Sequence, residues 1–157
     1  MTLISQDVAD LPTSGPLMGL DPGTKTIGVA ISDGLRMTAT SLETIKRTKF
    51  SKDAKRLIEI ATGRGIVAAV VGLPLNMDGS EGPRAQSVRA FARNITEHVG
   101  LPVLLWDERL TTVAAERTLL EADLSRKRRA EVIDAVAAQY ILQGALDRLA
   151  VLSRSAE

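Results

Sequence analysis

The chain has no cysteine, which excludes disulfides, thiolate zinc sites and cysteine nucleophiles. It has one histidine, His98, so a histidine-rich metal cluster cannot form within one chain, and a Ser-His-Asp hydrolase would have to be built on that residue. His98 follows an amphipathic stretch just before Gly100 and reads as a surface or helix-end residue. Aromatic residues make up 3% of the chain. The core must therefore be built from Val, Ile, Leu and Ala, and stacking of single-stranded bases on an aromatic platform is a poor reading. No stretch approaches the roughly 20 apolar residues that span a bilayer. Met1 to Pro16 carries no basic residue and no apolar run of signal-peptide length. The simplest expectation is a cytoplasmic protein with no membrane partner. With thiols absent and imidazole scarce, any metal site must be made of carboxylates, which favour hard ions such as magnesium or manganese.

What is present fits an ordinary globular chain. Of 157 residues, 45% are hydrophobic and 25% charged, with a net charge of +1. One domain over 17–152 is expected, with a flexible N-terminal tail over 1–16 and a short C-terminal tail over 153–157. The near-zero net charge argues neither for nor against nucleic acid, so local clusters matter more. Lys46, Arg47, Lys49, Lys52, Lys55 and Arg56 form one, and Arg126, Lys127, Arg128 and Arg129 a denser one. Each fits a solvated surface as well as a phosphate-binding patch.

Along the chain, Leu17-Met18-Gly19-Leu20 is a short apolar run ending at Asp21-Pro22-Gly23, a strand followed by a turn. Ile27, Val29 and Ile31 alternate as a second strand, Asp33-Gly34 signals a tight turn, and Met37 to Ile45 suits a third strand. The period then changes. Ala54, Leu57, Ile58 and Ala61 share a helical face, with Gly63 and Gly65 as stop signals. Ile66 to Val71 is a continuous apolar run, as expected of a strand covered on both faces. Pro83 suits the first turn of a helix carrying Val88, Phe91, Ala92 and Ile95 on one face, and Gly100 ends it. Val103 to Trp106 is a fifth strand, ending at Asp107-Glu108. Helical segments follow over roughly Thr112–Glu121 and Ala130–Leu152. The expected architecture is α/β: a mixed five-stranded sheet, made of a three-stranded antiparallel meander plus two parallel strands, with helices on both faces. In such sheets, polar residues at strand C-termini converge on a ligand crevice.

Three acids sit where this order would let them meet. Asp21 closes the first strand, Glu108 follows the fifth, and Asp134 lies in a row with Ala137, Ala138, Ile141 and Ala145 on the last helix. A carboxylate facing a sheet is costly unless paired or coordinated, and three carboxylates in one place call for a divalent cation. Each also has a plainer reading. Asp21 fits a turn former before Pro22-Gly23, Glu108 a helix-start charge or a partner of Arg109, and Asp134 a helix cap or a partner of Arg128 or Arg129. Between the first two strands, Lys25 lies among small residues whose backbone N–H groups suit a phosphate. This is not a Walker A loop, because the G-x-x-x-x-G-K-[ST] spacing is absent and no helix follows. After the buried fourth strand, Gly72 to Ser80 is rich in turn residues, and its Asn76 is a second candidate phosphate contact.

Four segments together resemble the YqgF family, the pre-16S ribosomal RNA nuclease or Holliday-junction-resolvase-like family. They are Gly19-Leu20-Asp21-Pro22-Gly23-Thr24-Lys25-Thr26-Ile27-Gly28-Val29-Ala30, Val71-Gly72-Leu73-Pro74-Leu75-Asn76-Met77-Asp78-Gly79, Asp107-Glu108-Arg109-Leu110-Thr111-Thr112 and Asp134-Ala135-Val136-Ala137-Ala138-Gln139. The resemblance runs from Leu17 to Leu149 in the family's order. It implies an RNase H-like fold and trimming of ribosomal RNA precursors in the cytoplasm, with ribosomal particles as a further partner and resolution of branched DNA as the alternative activity. By position it implies that Asp21, Glu108 and Asp134 are metal-binding catalytic acids for Mg2+ or Mn2+, with Asp107 assisting or replacing Glu108. It further implies that Lys25, Asn76 and Arg109 serve the substrate. Pro22 departs from the family pattern, which has an aromatic or aliphatic residue there; the carboxylate is untouched and the turn stiffened. Two other classes compete. An actin-type ATPase also has an acidic phosphate loop between its first strands, but it encloses ATP between two domains and this chain is too short. A non-catalytic RNA- or ribosome-binding protein could keep the fold and the acids without the activity.

Overall fold

A computed structural model describes residues 4–110 and 126–155. Their strands are β1 (Ile4–Ser5), β2 (Leu17–Pro22), β3 (Thr26–Ser32), β4 (Ala39–Lys46), β5 (Ala68–Leu73) and β6 (Val103–Asp107). Their α-helices are α1 (Phe50–Arg64), α2 (Pro83–Asn94) and α3 (Arg126–Ser155). The strands form one sheet in the order β1-β6-β5-β2-β3-β4. β2, β3 and β4 are the expected antiparallel meander, and β5 and β6 add in parallel beside β2.

The sheet has a sixth strand that periodicity does not predict. Ile4–Ser5 pairs in parallel with Val103–Leu104 at the β6 edge. Val8 and Leu11, in and after the short 3-10 turn that follows, are buried against the same core as Trp106. The stretch expected to be a flexible tail is thus tied down by a short edge strand and two apolar anchors. At the other end, the last helix begins at Arg126 and continues to Ser155, past the expected Leu152 boundary into the residues assigned to a tail. The helix expected over Thr112–Glu121 falls outside the described residues.

Side-chain alternation divides the sheet into two cores. On one face Met18, Leu20, Ile27, Val29, Val71 and Leu105 pack against Leu57 and Ile60 of α1 and Val88 and Phe91 of α2. On the other, Leu17, Ala30, Val70, Leu104 and Trp106 pack against Ala137, Ala138, Ile141, Leu142 and Leu146 of α3. α1 departs from expectation at two positions: it runs through Gly63 and stops only at Gly65, and Ile58 is 40% exposed while Ile60 is 4% exposed. The buried arc runs through Ala54, Leu57, Ile60 and Ala61, the i, i+3, i+6, i+7 spacing of a helical stripe, and Ile58 lies to one side of it. The helix ends where Gly65 takes a left-handed φ of 67° and returns its N–H to Ala61. Pro83 occupies the first turn of α2, as expected, and Val88, Phe91 and Ala92 are buried with Ile95 of the π-helical turn beyond it. His98 lies exposed in that turn, its ring 5.8 Å from that of Phe50.

α3 approaches the sheet closely because the strands offer glycine beneath it. A Cβ on Gly28 would run into the Asp134 carbonyl, and one on Gly19 would stand 2.7 Å from the carbonyl oxygen of Ala138. A methyl group there cannot be absorbed by side-chain rotation, because the obstacle is helix backbone. Gly28→Ala is therefore expected to destabilise the protein by about 1–3 kcal/mol or more, read as a lower urea midpoint. Gly63→Ala, in α1 with nothing near its added carbon, is expected to raise stability by about 0.5–1 kcal/mol.

Candidate active site

β2 runs through the middle of the sheet, and the C-terminal ends of β2, β5 and β6 lie along one edge. All six residues of β2 are buried. Leu17 packs in the α3 core and Gly19 lies under Ala138, so alternation turns Asp21 to the same face. Asp21 is 2% exposed and sits opposite Gly28 in the β2–β3 ladder. The Gly28 site in turn lies under the backbone of Asp134. Two of the three expected acids are thus brought to one place by a strand pair and the helix pressed onto it.

Glu108 arrives from the neighbouring strand. In β6, Leu104 and Trp106 face α3 whereas Val103 and Leu105 face α1 and α2. Glu108 opens a short 3-10 turn after the strand, and its Oε1 lies 2.6 Å from where a Cβ of Gly72 would be. Gly72 is the β5 residue beyond Val71, just as Asp21 follows Leu20 in the adjoining strand. The bare Gly72 position therefore leaves room for the Glu108 carboxylate on the Asp21 side of the sheet. The structure brings Asp21, Glu108 and Asp134 to one face at one sheet edge.

Asp134 is held by β3. Its Oδ2 accepts a hydrogen bond from the Thr26 hydroxyl, and it lies 3.7 Å from a Cβ position on Gly23. Among the described residues, no three acidic or imidazole side chains stand close enough together to hold a metal ion as placed. The donor chemistry nevertheless suits a hard cation. The three groups are all carboxylates, the oxygen donors that magnesium and manganese prefer.

Asp107, next to Glu108, is placed differently. It pairs with Leu73 across the ladder and alternates to the face away from α3. Its Oδ1 accepts from the Arg109 backbone N–H at 2.9 Å, and its Oδ2 from Arg109 Nη2 at 2.7 Å. The hydrogen bonds from Arg109 hold its carboxyl below the usual Asp range. Arg109 forms its ion pair with Asp107 at 2.7 Å.

The three residues expected to serve the substrate are all exposed, but their polar groups are differently engaged. Lys25 tips the β2–β3 turn, where its backbone carbonyl accepts from the Arg47 N–H at 2.9 Å. Asn76 Nδ2 donates to Ser80 Oγ at 2.9 Å within its own loop. Arg109 Nη1 donates to the Met77 carbonyl at 3.2 Å, tying that loop to the end of β6.

Several contributors at the site were given no role there by the sequence. Thr26 orients Asp134. Arg47 Nη1 donates to the Gly23 carbonyl at 2.6 Å, and Arg84 Nη2 to that of Pro22 at 3.4 Å, bracing the turn behind Asp21. Arg47 also lies 5.5 Å over the Phe91 ring centroid. Arg56, from the same basic cluster, is bound by Glu43 and Glu59. Lys46, Lys49, Lys52 and Lys55 stay exposed, with no carboxylate among the described residues paired to them. The available signal was glycine alternating with apolar residues inside strands, which marks close backbone approach.

Comparison with known proteins identifies the family and the fold. The family model described as "RuvX: Holliday junction resolvase" matches residues 15–148. A protein of Cereibacter sphaeroides named "Putative pre-16S rRNA nuclease" is 68% identical over 96% of this chain and 94% of its own length. One of the same name from Paracoccus denitrificans is 66% identical, with 92% of each chain covered. Among solved structures, Thermus thermophilus RuvC in complex with a Holliday junction substrate superposes with a TM-score of 0.53 at 15% identity, covering 87% of this chain and 96% of that one. That likeness shows the fold, which is the RNase H-like mixed sheet expected from the motifs.

Replacing the Thr26 hydroxyl tests the hydrogen bond that holds Asp134. Thr26→Val keeps the side-chain shape but removes the donor. It is expected to lower stability by about 1 kcal/mol at neutral pH, measured by urea denaturation, and to have no such effect in an Asp134→Ala background.

Proposed function

The chain belongs to the RuvX family, described as Holliday junction resolvase, and we propose that it is a cytoplasmic, divalent-metal-dependent nuclease that trims the 5′ end of pre-16S ribosomal RNA. The observation that carries this reading is the arrival of Asp21, Glu108 and Asp134 at one face of the sheet edge, from β2, from the end of β6 and from α3. The choice of RNA over branched DNA follows the naming of relatives 65–68% identical to this chain.

In this reading Asp21, Glu108 and Asp134 would hold magnesium or manganese. A bound ion would supply Lewis-acid stabilisation of the negative charge that builds on the phosphate oxygens during hydrolysis. The chain's own residues do the rest. The burial of Asp21 and the arginine-braced turn behind it fix one carboxylate before substrate arrives. The Thr26 hydroxyl keeps Asp134 at the sheet. Lys25 on the turn tip and Lys46, Lys49 and Lys52 beyond it form a cationic strip leading away from the acids. Thr26 pairs with Lys46 across the β3–β4 ladder, and Lys49 immediately precedes α1. Such a strip binds a nucleic-acid backbone through its phosphates without reading bases.

The decisive experiment incubates wild type and Asp21→Asn with precursor ribosomal RNA, a four-way DNA junction and ATP, with and without Mg2+ or Mn2+. Metal-dependent cleavage of the RNA is expected, and the variant should cut about 10²–10³-fold or more slowly while still binding. Preferential cutting of the junction would assign a resolvase, and ATP hydrolysis lost with Asp21 would assign an ATPase. RNA binding without any cleavage would leave a non-catalytic RNA-binding protein.

The lysine strip makes a separate quantitative prediction. Lys25→Ala, Lys49→Ala and Lys52→Ala should each remove one phosphate interaction. Each should therefore flatten the slope of log K against log salt by about 0.9 on duplex and about 0.7 on single strands. Titration of labelled RNA at several salt concentrations measures it.

A further inference from the structure

Two residues of the Asp107-Glu108-Arg109 segment bond to each other around the acid between them. Asp107 Oδ1 accepts from the Arg109 backbone N–H at 2.9 Å, an Asx-type turn that closes the chain as it leaves β6. The Arg109 side chain folds back onto the same carboxylate, with Nε 3.0 Å from Oδ1 and Nη2 2.7 Å from Oδ2. Its remaining nitrogen, Nη1, donates to the Met77 carbonyl at 3.2 Å and approaches that of Asn76 at 3.5 Å. That loop is itself closed by Asn76 N–H to the Ser80 carbonyl at 3.0 Å and Gly79 N–H to the Asn76 carbonyl at 2.8 Å.

We infer that Asp107 and Arg109 form a positioning latch: together they fix the turn that aims Glu108 and tether the loop after β5 beside it, and neither holds metal nor substrate. Three observations support this. Asp107 lies on the face of the sheet away from α3, whereas Glu108 stands over Gly72 on the Asp21 side. Each of the three guanidinium nitrogens already has a protein acceptor. Its charge is also faced by two carboxylates, Asp107 and Asp78, which weakens any pull on a phosphate. A latch of this kind gives a residue adjacent to an active-site acid a role at a distance from the chemistry, because misplacement by about 1 Å can cost about 10²-fold in rate.

The kinetic part of this inference rests on the nuclease reading, and the structural part does not. The test compares wild type with Asp107→Ala, Asp107→Asn, Arg109→Gln and the Asp107→Ala/Arg109→Gln double variant. Amide hydrogen exchange at Asn76 and Gly79, without metal or substrate, reads the tether. Exchange at least about tenfold faster in Asp107→Ala and in Arg109→Gln is expected, and wild-type protection in both overturns the latch whatever the protein cleaves. Steady-state cleavage of precursor RNA then reads the positioning. kcat should fall about 10- to 100-fold in Asp107→Ala and Arg109→Gln, with KM within about twofold and an unchanged salt slope. The double variant should be no worse than the poorer single. Asp107→Asn, which keeps an acceptor for the Arg109 N–H, should recover much of the loss. Asp107→Asn as inactive as Asp21→Asn would make Asp107 a metal ligand. A raised KM with a flatter salt slope in Arg109→Gln alone would make Arg109 a phosphate contact. Either result overturns the proposal. If wild type cleaves no substrate, the nuclease reading fails, and the exchange result alone decides the latch.

Discussion

The long C-terminal helix can lie against the sheet only because Gly19, Gly28 and Gly72 carry no side chain on the face it covers. At Gly19 and Gly28 helix backbone occupies the space where a Cβ would stand, and at Gly72 that space is filled by Ile141 and the Glu108 carboxylate. This close approach sets the depth at which α3 docks, and the docking depth sets where Asp134 falls. Ala137, Ala138 and Ala145 repeat the adaptation from the helix side. Small residues on both partners bring main chains together, and dispersion over that surface offsets the entropy of ordering a long helix.

From that approach follows the placement of the acids. Asp21 is buried at 2% exposure on the same face as Gly19, so its carboxylate depends on the groups around it to offset lost hydration. Keeping a carboxylate at the centre, with a second and third acid reaching the same sheet edge from distant parts of the chain, concentrates negative charge where the fold gains least from it. Arg47 and Arg84 act on the carbonyls of Gly23 and Pro22. They stiffen the turn behind Asp21 by donating side-chain hydrogen bonds to its main-chain carbonyls.

Much of this was legible in the sequence where periodicity carries the information. The alternation of Ile27, Val29 and Ile31, the unbroken run into Val71 and the apolar row through Ala137 and Ile141 each reflect burial repeated at a fixed spacing. The meander and the two parallel strands followed from them. Ile4–Ser5 was not legible, because a strand of two residues has no period. It exists through its pairing with Val103 and Leu104 and the burial of Val8 and Leu11. Ile58 was misplaced for a related reason: choosing between Ile58 and Ile60 needs the direction from which the sheet approaches, which no single helix encodes.

The site divides along the same line. That Asp21, Glu108 and Asp134 reach the same face of the sheet edge could be expected from their positions beside apolar segments. The division of labour within Asp107-Glu108-Arg109 could not, because it depends on where β6 ends and which loop lies beside it. Alternation alone, continued past Trp106, gives Asp107 and Glu108 opposite faces. Only the tertiary structure shows that the loop after β5 lies within reach of Arg109 on the Asp107 side. Two adjacent acids with the same chemistry thus acquire different surroundings by a half-period of the strand. Asp107 meets a cation and a turn, and Glu108 meets the space above a glycine. The geometry of a strand end thereby decides which of the two carboxylates is turned toward Asp21.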